Sequence, residues 1–377
     1  MSPEQVPSIA GDPRARRPRR FRRWLLGGAA ACLIIVPLWL LVPSPIDSVA
    51  VNEPPARALQ GVLAPDEDLR SARQIAPGRL EGPEDVAIDA AGRLYVGTAD
   101  GRIVRITLPP DGSEVLETLA DTGGRPFGLR FGPTGTLFVA DGVKGLLAVD
   151  PAGGIRTLAT AAGGVPFRFT DDLDVAADGK VYFSDASDRF SIDDYLYDLL
   201  EGLPHGRLLV WDPATETTRV LLNGLYFANG VALAGDGSFV LVNETYRYRV
   251  RRYWLTGARQ GTSEIFLDHL PGFPDNLTRD PATGRFWIAL FTVRNPAMAF
   301  LNPHPFLKDQ LAKLPHFLWP KPAPYGLVLE VDERGAIVGA HHDPGGHVVP
   351  TVTSAEPRDG KLYLGSLHGG LFVWDVR

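Results

Sequence analysis

The sequence predicts an all-β protein, a six-bladed β-propeller preceded by a single N-terminal apolar helix. Three observations predict it. One strand–turn–strand unit recurs six times, each copy alternates apolar and polar residues around a turn glycine, and one uncharged run of nineteen residues precedes all of them. The turn glycines are Gly92, Gly135, Gly179, Gly237, Gly284 and Gly360, spaced 43, 44, 58, 47 and 76 residues apart. Segments such as RLYVG, KVYFS and KLYLG have the two-residue period and the aromatic and β-branched content of strands. Repeats of about 40–50 residues with three or four strands each are propeller blades. The sixth copy ends after about three strands, and residues 71–77 (SARQIAP) are positioned to supply its missing outer strand and remove an open edge.

The elements run in order. Residues 1–23 form a basic tail, with seven Arg against Glu4 and Asp12. Residues 24–42, WLLGGAAACLIIVPLWLLV, span about 28 Å as a helix, close to a hydrocarbon core of about 30 Å. Trp24 and Trp39 lie toward its ends, and the Arg cluster orients the N-terminus to the cytoplasm and the remainder outward. This reads as an uncleaved signal-anchor. The alternatives fit less well: the run is long for a cleaved signal peptide, Ala29–Cys32 resembles a lipobox only loosely, and a full twin-arginine pattern is missing. Residues 43–70 read as a Pro-rich tether, and the propeller occupies 71–377. Two spacings mark insertions, 189–206 with a helix-capping signal at Ser191, and 292–326 with Phe306, Phe317, Leu318 and Trp319. Both are expected to be partly helical loops over one face of the ring, acting as packing, lid or membrane-facing surface.

Composition narrows the function. The net charge is −6 and the chain after the basic tail carries −11, which excludes a phosphate-seeking nucleic-acid binder. The lone Cys32 excludes a disulfide partner, a Cys-rich zinc site and an iron–sulfur cluster. What remains for a metal is an oxygen-ligated ion.

Each turn glycine serves as a ruler. Eight residues before it stand Glu84, Asp171 and Asn229 in blades 1, 3 and 4; in blade 5, where the turn is one residue longer, nine residues lead to Asp275, with Asn276 beside it. Equal offsets in equivalent blades converge on the central tunnel. In blades 2 and 6 the count reaches Phe127 and Val352, expected to wall the site, while His347 and His368 near the sixth copy are candidates to face it. Carboxylates and amides crowded without His or Cys suit Ca²⁺, a hard cation taking six to eight oxygens.

The blocks GPED (82–85), FTDDL (169–173), FANGVAL (227–233), VLVNET (240–245), PGFPDN (271–276) and DGKLYLGS (359–366) resemble the strictosidine synthase-like family. Within it they are most similar to the branch of adipocyte plasma membrane-associated proteins, and more distantly to paraoxonases, gluconolactonase/senescence marker protein and diisopropyl fluorophosphatase. The resemblance implies a six-bladed propeller with tunnel calcium, on whose ligands Glu84, Asn229 and Asp275 fall; Asp171 stands where relatives usually have Asn. It implies a membrane-anchored, Ca²⁺-dependent hydrolase of carboxylic esters or lactones, arylesterase- or lactonase-like, with Asp275 and Asp171 as candidate nucleophile or base. The alternative is a non-catalytic, calcium-stabilised binding module. The chain lacks the blade-2 tunnel His of paraoxonases, having FVADG at 138–142. It also lacks an acid in 347–355, which disfavours a strictosidine synthase-like condensation. The sequons at Asn243 and Asn276 are read as chance matches.

Overall fold

The computed structural model describes residues 37–376. They divide into two compact units, one ending at Pro45 and one from Ile46 onward. In the first, residues 37–41 are helical. The basic tail, Cys32 and most of the predicted 24–42 helix lie outside the described residues, and no described helix is long and apolar enough to cross a membrane.

The second unit contains six four-stranded antiparallel sheets and a two-stranded hairpin. The first strand of each sheet is Val86–Ile88, Pro126–Phe131, Thr170–Val175, Ala228–Leu233, Gly272–Arg279 or Ser354–Arg358. Each of these packs on the first strand of the next sheet, and the sixth packs on the first, so they ring a common hub. The sequence pattern explains the arrangement. Second strands such as Val181–Asp185 and Phe239–Glu244 are buried throughout because neighbouring blades cover both faces. Between blades 4 and 5 the filling is Phe239, Phe266, Leu277, Phe286, Ile288 and Leu329; between blades 5 and 6 it includes Trp287, Val328, Leu362 and Trp374. Burying each such side chain contributes about 1.5–3 kcal/mol.

The ring closes as the sequence predicts. Arg73–Ile75 pairs antiparallel with the last strand, Leu371–Asp375, in the register Arg73↔Val373 and Ile75↔Leu371. This fourth strand leaves blade 6 no more open than its neighbours.

The segment expected to hang as a tether does not hang free from Ile46 onward. Ile46, Val51, Leu63 and Leu69 are buried. The Val49 N–H donates to Glu201 O at 3.0 Å, Val51 N–H to Asn302 O at 2.8 Å and Arg57 N–H to His269 O at 2.9 Å. Polar and Pro-rich composition concealed a strap whose few apolar residues are spaced to fill gaps along the ring.

The insertions are helical as expected. Helix α1 is Tyr195–Glu201, α2 is Pro296–Leu301 and α3 is Pro305–Ala312. Helix α2 has a complete start signal, with Asn295 Oδ1 accepting from the Ala297 N–H at 2.9 Å and Pro296 in its first turn. The capping signal at Ser191 is corrected. Ser191 O accepts from the Asp194 N–H in a turn, α1 starts later, and its N-cap Asp194 makes no side-chain cap bond. Gly202, at φ +76°, ends α1 in the left-handed region. Both insertions follow the second strand of their blade, so they rise from the end of the ring at which the inner strands begin. Ile46, Phe190, Leu200, Met298, Ala312 and Trp319 bind strap and insertions into one cluster there.

Candidate metal centre and its cavity

The inner strands carry a local irregularity that the ruler did not reveal. Register shifts fall between Pro126 and Leu129, Thr170 and Leu173, Ala228 and Val231, and Pro274 and Leu277. Each brackets the position counted from the turn glycine. A β-bulge sets two successive residues against one on the partner strand and re-aims their side chains. That is why Asp275 and Asn276, adjacent in sequence, both reach the hub.

Glu84, Asp171, Asn229, Asp275 and Asn276 are all buried. Asn229 Nδ2 donates to Asp275 Oδ1 at 2.7 Å, and Asn276 Nδ2 donates to Glu84 Oε1 and Oε2 at 3.2 and 3.3 Å. Each amide therefore gives its N–H to a carboxylate. The oxygens left over, Asp171 Oδ2, Asn229 Oδ1 and Asn276 Oδ1, are buried without a hydrogen-bond partner. Neighbours fix the backbone around them. Thr353 Oγ1 and Ser354 Oγ donate to Glu84 O at 2.6 and 2.9 Å, Thr245 Oγ1 donates to Pro274 O at 2.7 Å, and Asn243 Nδ2 donates to Asp275 O. Asn243 is fully buried in this role, so its sequon is not a glycosylation surface.

The electrostatics follow from burial. Desolvation, then the charges of Asp275 and Asp171, push the Glu84 carboxyl well above its ordinary range. Asp171 is raised well above its range by burial first, then by Asp275 and Asp172. Asp275 is pushed up to about 7 by burial, which outweighs the lowering by the Asn229 hydrogen bond. Among the described residues, none of the three makes an ion pair with Lys, Arg or His. One step deeper the pattern differs. Asp85 Oδ2 accepts from the Leu129 N–H and Asp172 Oδ2 from the Val231 N–H, both at 2.8 Å, clamping blade 1 to 2 and blade 3 to 4. Below them Arg130 Nη1 donates to Glu356 Oε2 at 2.7 Å, and Arg130 Nε lies 3.9 Å from Asp174 Oδ1. These clamping acids follow the counted positions directly in sequence, and that adjacency was the signal available for finding them.

Over the hub lies a cavity of about 320 Å³ that touches Glu84, Asp171, Asn229 and Asp275. Its walls are mainly apolar, with Phe127, Phe169, Phe227, Phe273 and Phe291 among the rings, and it is roofed by Tyr195, Leu199, Met298 and Trp319 from the insertions. Phe227 holds φ +57° just before its bulge and stacks on Tyr246 at 4.5 Å. A cleft of about 650 Å³ between blades 3 and 4 is larger, but it is lined by residues such as Asp178, Lys180 and Gly237 at the turn end of the ring, away from the buried carboxylates.

The predicted wall residues divide. Phe127 and His368 line the cavity, and burial followed by the charge of Arg125 lowers the His368 pKa, favouring neutral imidazole. Val352 does not line it; it packs in the apolar layer between blades 5 and 6, and Thr353 takes the cavity position. The ruler slips because blade 6 turns through only two residues, Asp359 and Gly360, both at positive φ, between the paired Arg358 and Lys361. His347 is exposed and lies outside the cavity.

The donor set fits a hard divalent cation. It offers carboxylate and amide oxygens only, three of them already unsatisfied. A separate trio, Asp66, Asp68 and His341, brings its ligand atoms within 4.8 Å of one another where the strap meets blade 5; the three hub carboxylates are not grouped so closely. The trio is half-exposed and serves docking, with Asp66 Oδ1 accepting from the His342 N–H at 2.8 Å and Asp68 Oδ2 lying 3.2 Å from His341 Nδ1.

Comparison with known proteins agrees with this architecture. Residues 171–258 match the strictosidine synthase family model, and 61–106 match the strictosidine synthase-like N-terminal model. The adipocyte plasma membrane-associated protein of Rattus norvegicus is 40% identical over 350 residues, covering 87% of this chain and 92% of that protein. The Homo sapiens protein of the same name is 39% identical over 362 residues, covering 90% and 86%. Strictosidine synthase-like 10 of Arabidopsis thaliana is 35% identical over 367 residues, covering 89% and 97%. Among solved structures, a gluconolactonase from Xanthomonas campestris superposes with a TM-score of 0.57 at 16% identity, over 89% of this chain and 99% of that one. Regucalcin from Agrobacterium tumefaciens, described as a calcium-binding protein, gives 0.54 at 17% identity, over 79% and 92%. The structural likenesses speak to the fold; the sequence identities settle the lineage, and the chain belongs to the strictosidine synthase-like family that includes the adipocyte plasma membrane-associated proteins.

Proposed function

We propose that the hub cavity is the active site of a Ca²⁺-dependent hydrolase of carboxylic esters or lactones, held at a membrane by the run 24–42 with its N-terminus cytoplasmic. The observation that carries the reading is the pair of buried, unpartnered oxygens of Asp171 and Asn229 beside Glu84 and Asp275 at the floor of an apolar cavity, with Asn276, its own oxygen unpartnered, bonded to Glu84. Glu84, Asp171, Asn229, Asp275 and Asn276 would hold the ion. Bound there, calcium supplies Lewis-acid stabilisation of the oxyanion that develops on an ester or lactone carbonyl.

The chain's own residues do the rest. The Phe walls bind the apolar acyl or alcohol portion and exclude water. Asp275, oriented by the Asn229 amide at the cavity floor, is the candidate general base or nucleophile. Asp171 is the second candidate for that role. His368, on the cavity wall beside Phe291, is a candidate substrate contact. The relatives' names do not report an activity, and the lactonase reading draws on the gluconolactonase fold.

The test is hydrolysis of aryl esters and lactones by the full chain, with and without chelator. Turnover that disappears on chelation and returns with calcium supports the reading. Calcium bound at the hub with no hydrolysis across ester, lactone and phosphotriester panels would leave a calcium-stabilised binding module instead.

A further inference from the structure

The insertion 292–326 exposes apolar side chains that a soluble surface does not need. Phe317 is 73% exposed, Phe300 63%, Phe306 60% and Leu318 55%. They sit on the segments that roof the cavity. His316, Trp319, Pro320 and Lys321 line the cavity, while Phe317 and Leu318, between them in sequence, turn outward. Phe300 follows the cavity-lining Met298 by two residues, and Phe306 lies on α3, which packs on α1, whose Leu196 and Leu199 line the roof. Scattered exposed apolar residues are ordinary, but a cluster of four on one insertion calls for a partner.

Two features identify that partner. The first is where the chain arrives. Ile46 is buried with Met298, Ala312 and Trp319, and Ser48 Oγ donates to Pro305 O at 2.9 Å and to Asp309 Oδ1 at 2.8 Å, so the strap begins against α3. The uncharged run 24–42 ends four residues before Ile46, a reach of about 14 Å at most. A bilayer holding that run is therefore within reach of the aromatic ridge. The second is charge. In an otherwise acidic body, the accessible cations of this face are Lys313 and Lys321, against the single Asp309, a balance that does not oppose anionic headgroups.

We propose that the exposed face of residues 296–321 is a membrane-docking surface, which seats Phe300, Phe306, Phe317 and Leu318 in the headgroup boundary and turns the cavity mouth toward the bilayer. It stands whether or not the cavity is catalytic. An apolar or amphiphilic molecule dissolved in the membrane would then reach the Phe-lined cavity without crossing bulk water.

The experiment uses the full chain with Cys32→Ser, reconstituted into vesicles of phosphatidylcholine with phosphatidylserine. One variant carries an environment-sensitive fluorophore at Phe317→Cys, another at Ala282→Cys, an exposed turn residue of the same blade at the opposite end of the ring. With lipids brominated high on the acyl chain, fluorescence at 317 should fall by about half or more and that at 282 should not change. Adding Phe300→Asp, Phe306→Asp and Leu318→Asp should abolish the quenching at 317 while the chain still floats with vesicles, so anchor and ridge report separately. Four outcomes overturn the proposal. They are no flotation, no quenching at 317, equal quenching at both positions, and quenching that survives the triple substitution. Shielding of 317 from aqueous iodide without quenching by brominated lipid would likewise overturn it, in favour of a protein partner or a second copy.

Discussion

Glu84→Gln gives the sharpest test of the hub. Calcium that binds only the folded state stabilises by about 2.7 kcal/mol at a hundred times its Kd. Unfolding entropy of about 2.1 cal/mol/K per residue, over the roughly 330 residues of the Ile46–Arg377 unit, amounts to about 0.7 kcal/mol/K. Calcium should therefore raise Tm by about 4 °C at that concentration. Gln has the shape of Glu, and its Oε1 can still accept from Asn276 Nδ2, but it removes a carboxylate that burial and the charges of Asp275 and Asp171 already drive toward its neutral form. The variant should therefore match or exceed the wild-type Tm in chelator and lose most of the 4 °C gain in calcium. Differential scanning calorimetry with and without calcium reads both numbers. An equal calcium gain in wild type and variant would refute Glu84 as a ligand, and no gain in either would refute the site.

Asp275→Asn keeps an oxygen for the Asn229 N–H to meet, so it should fold, yet turnover on aryl esters should drop by about 100-fold or more if the carboxylate moves protons or attacks; unchanged kcat would remove it from catalysis. Gly230→Ala places a Cβ about 2.5 Å from Asp275 O and Leu277 N, and should destabilise by about 1–3 kcal/mol and weaken calcium binding, read by denaturant titration and calorimetry. Lys308, whose Nζ donates to Val49 O at 2.6 Å, is lowered by burial from an ordinary 10.5 to about 8. The unfolded chain thus binds more protons between those values, so stability should rise with pH from about 8 to about 10.5, and Lys308→Met should flatten that rise in urea titrations.

The ring was legible because a propeller repeats its unit, and a repeated unit converts spacing into position. Glu84, Asp171, Asn229 and Asp275 came from that spacing alone, and the cavity touches all four. What was not legible depends on local geometry that spacing cannot encode. Asn276 was named beside Asp275, but the bulge that lets both reach the hub leaves no residue count behind, since the extra residue is absorbed within the strand. The two-residue turn at Asp359–Gly360 shifted blade 6 by one, replacing apolar Val352 with Thr353. The strap from Ile46 to Leu69 resembled a linker because four buried apolar residues scattered among Pro and charge make no periodic signal.

Compensation of charge is the issue on which the hub turns. Two neighbouring layers of the same tunnel both gather acids, and the fold treats them differently. In the deeper layer a guanidinium is supplied, with Arg130 bonded to Glu356 and close to Asp174, and backbone N–H groups clamp Asp85 and Asp172. At the cavity floor three carboxylates stand buried with amide N–H donors for only two of them, and no basic side chain forms an ion pair with them among the described residues. Protons could also neutralise these acids, since a protonated carboxyl O–H can donate to an unpartnered oxygen of the two amides. Turning those amides over exchanges N–H for oxygen without moving the chain, which converts donors that quiet an empty site into ligands for a cation. Buried acids without an ion-pair partner are costly unless a cation or a proton neutralises them, and Arg125, whose strongest charge interaction is with Glu84, makes no ion pair with it. The contrast between the two layers therefore leaves the floor to a bound cation or to protons, and the calcium dependence of Tm separates the two.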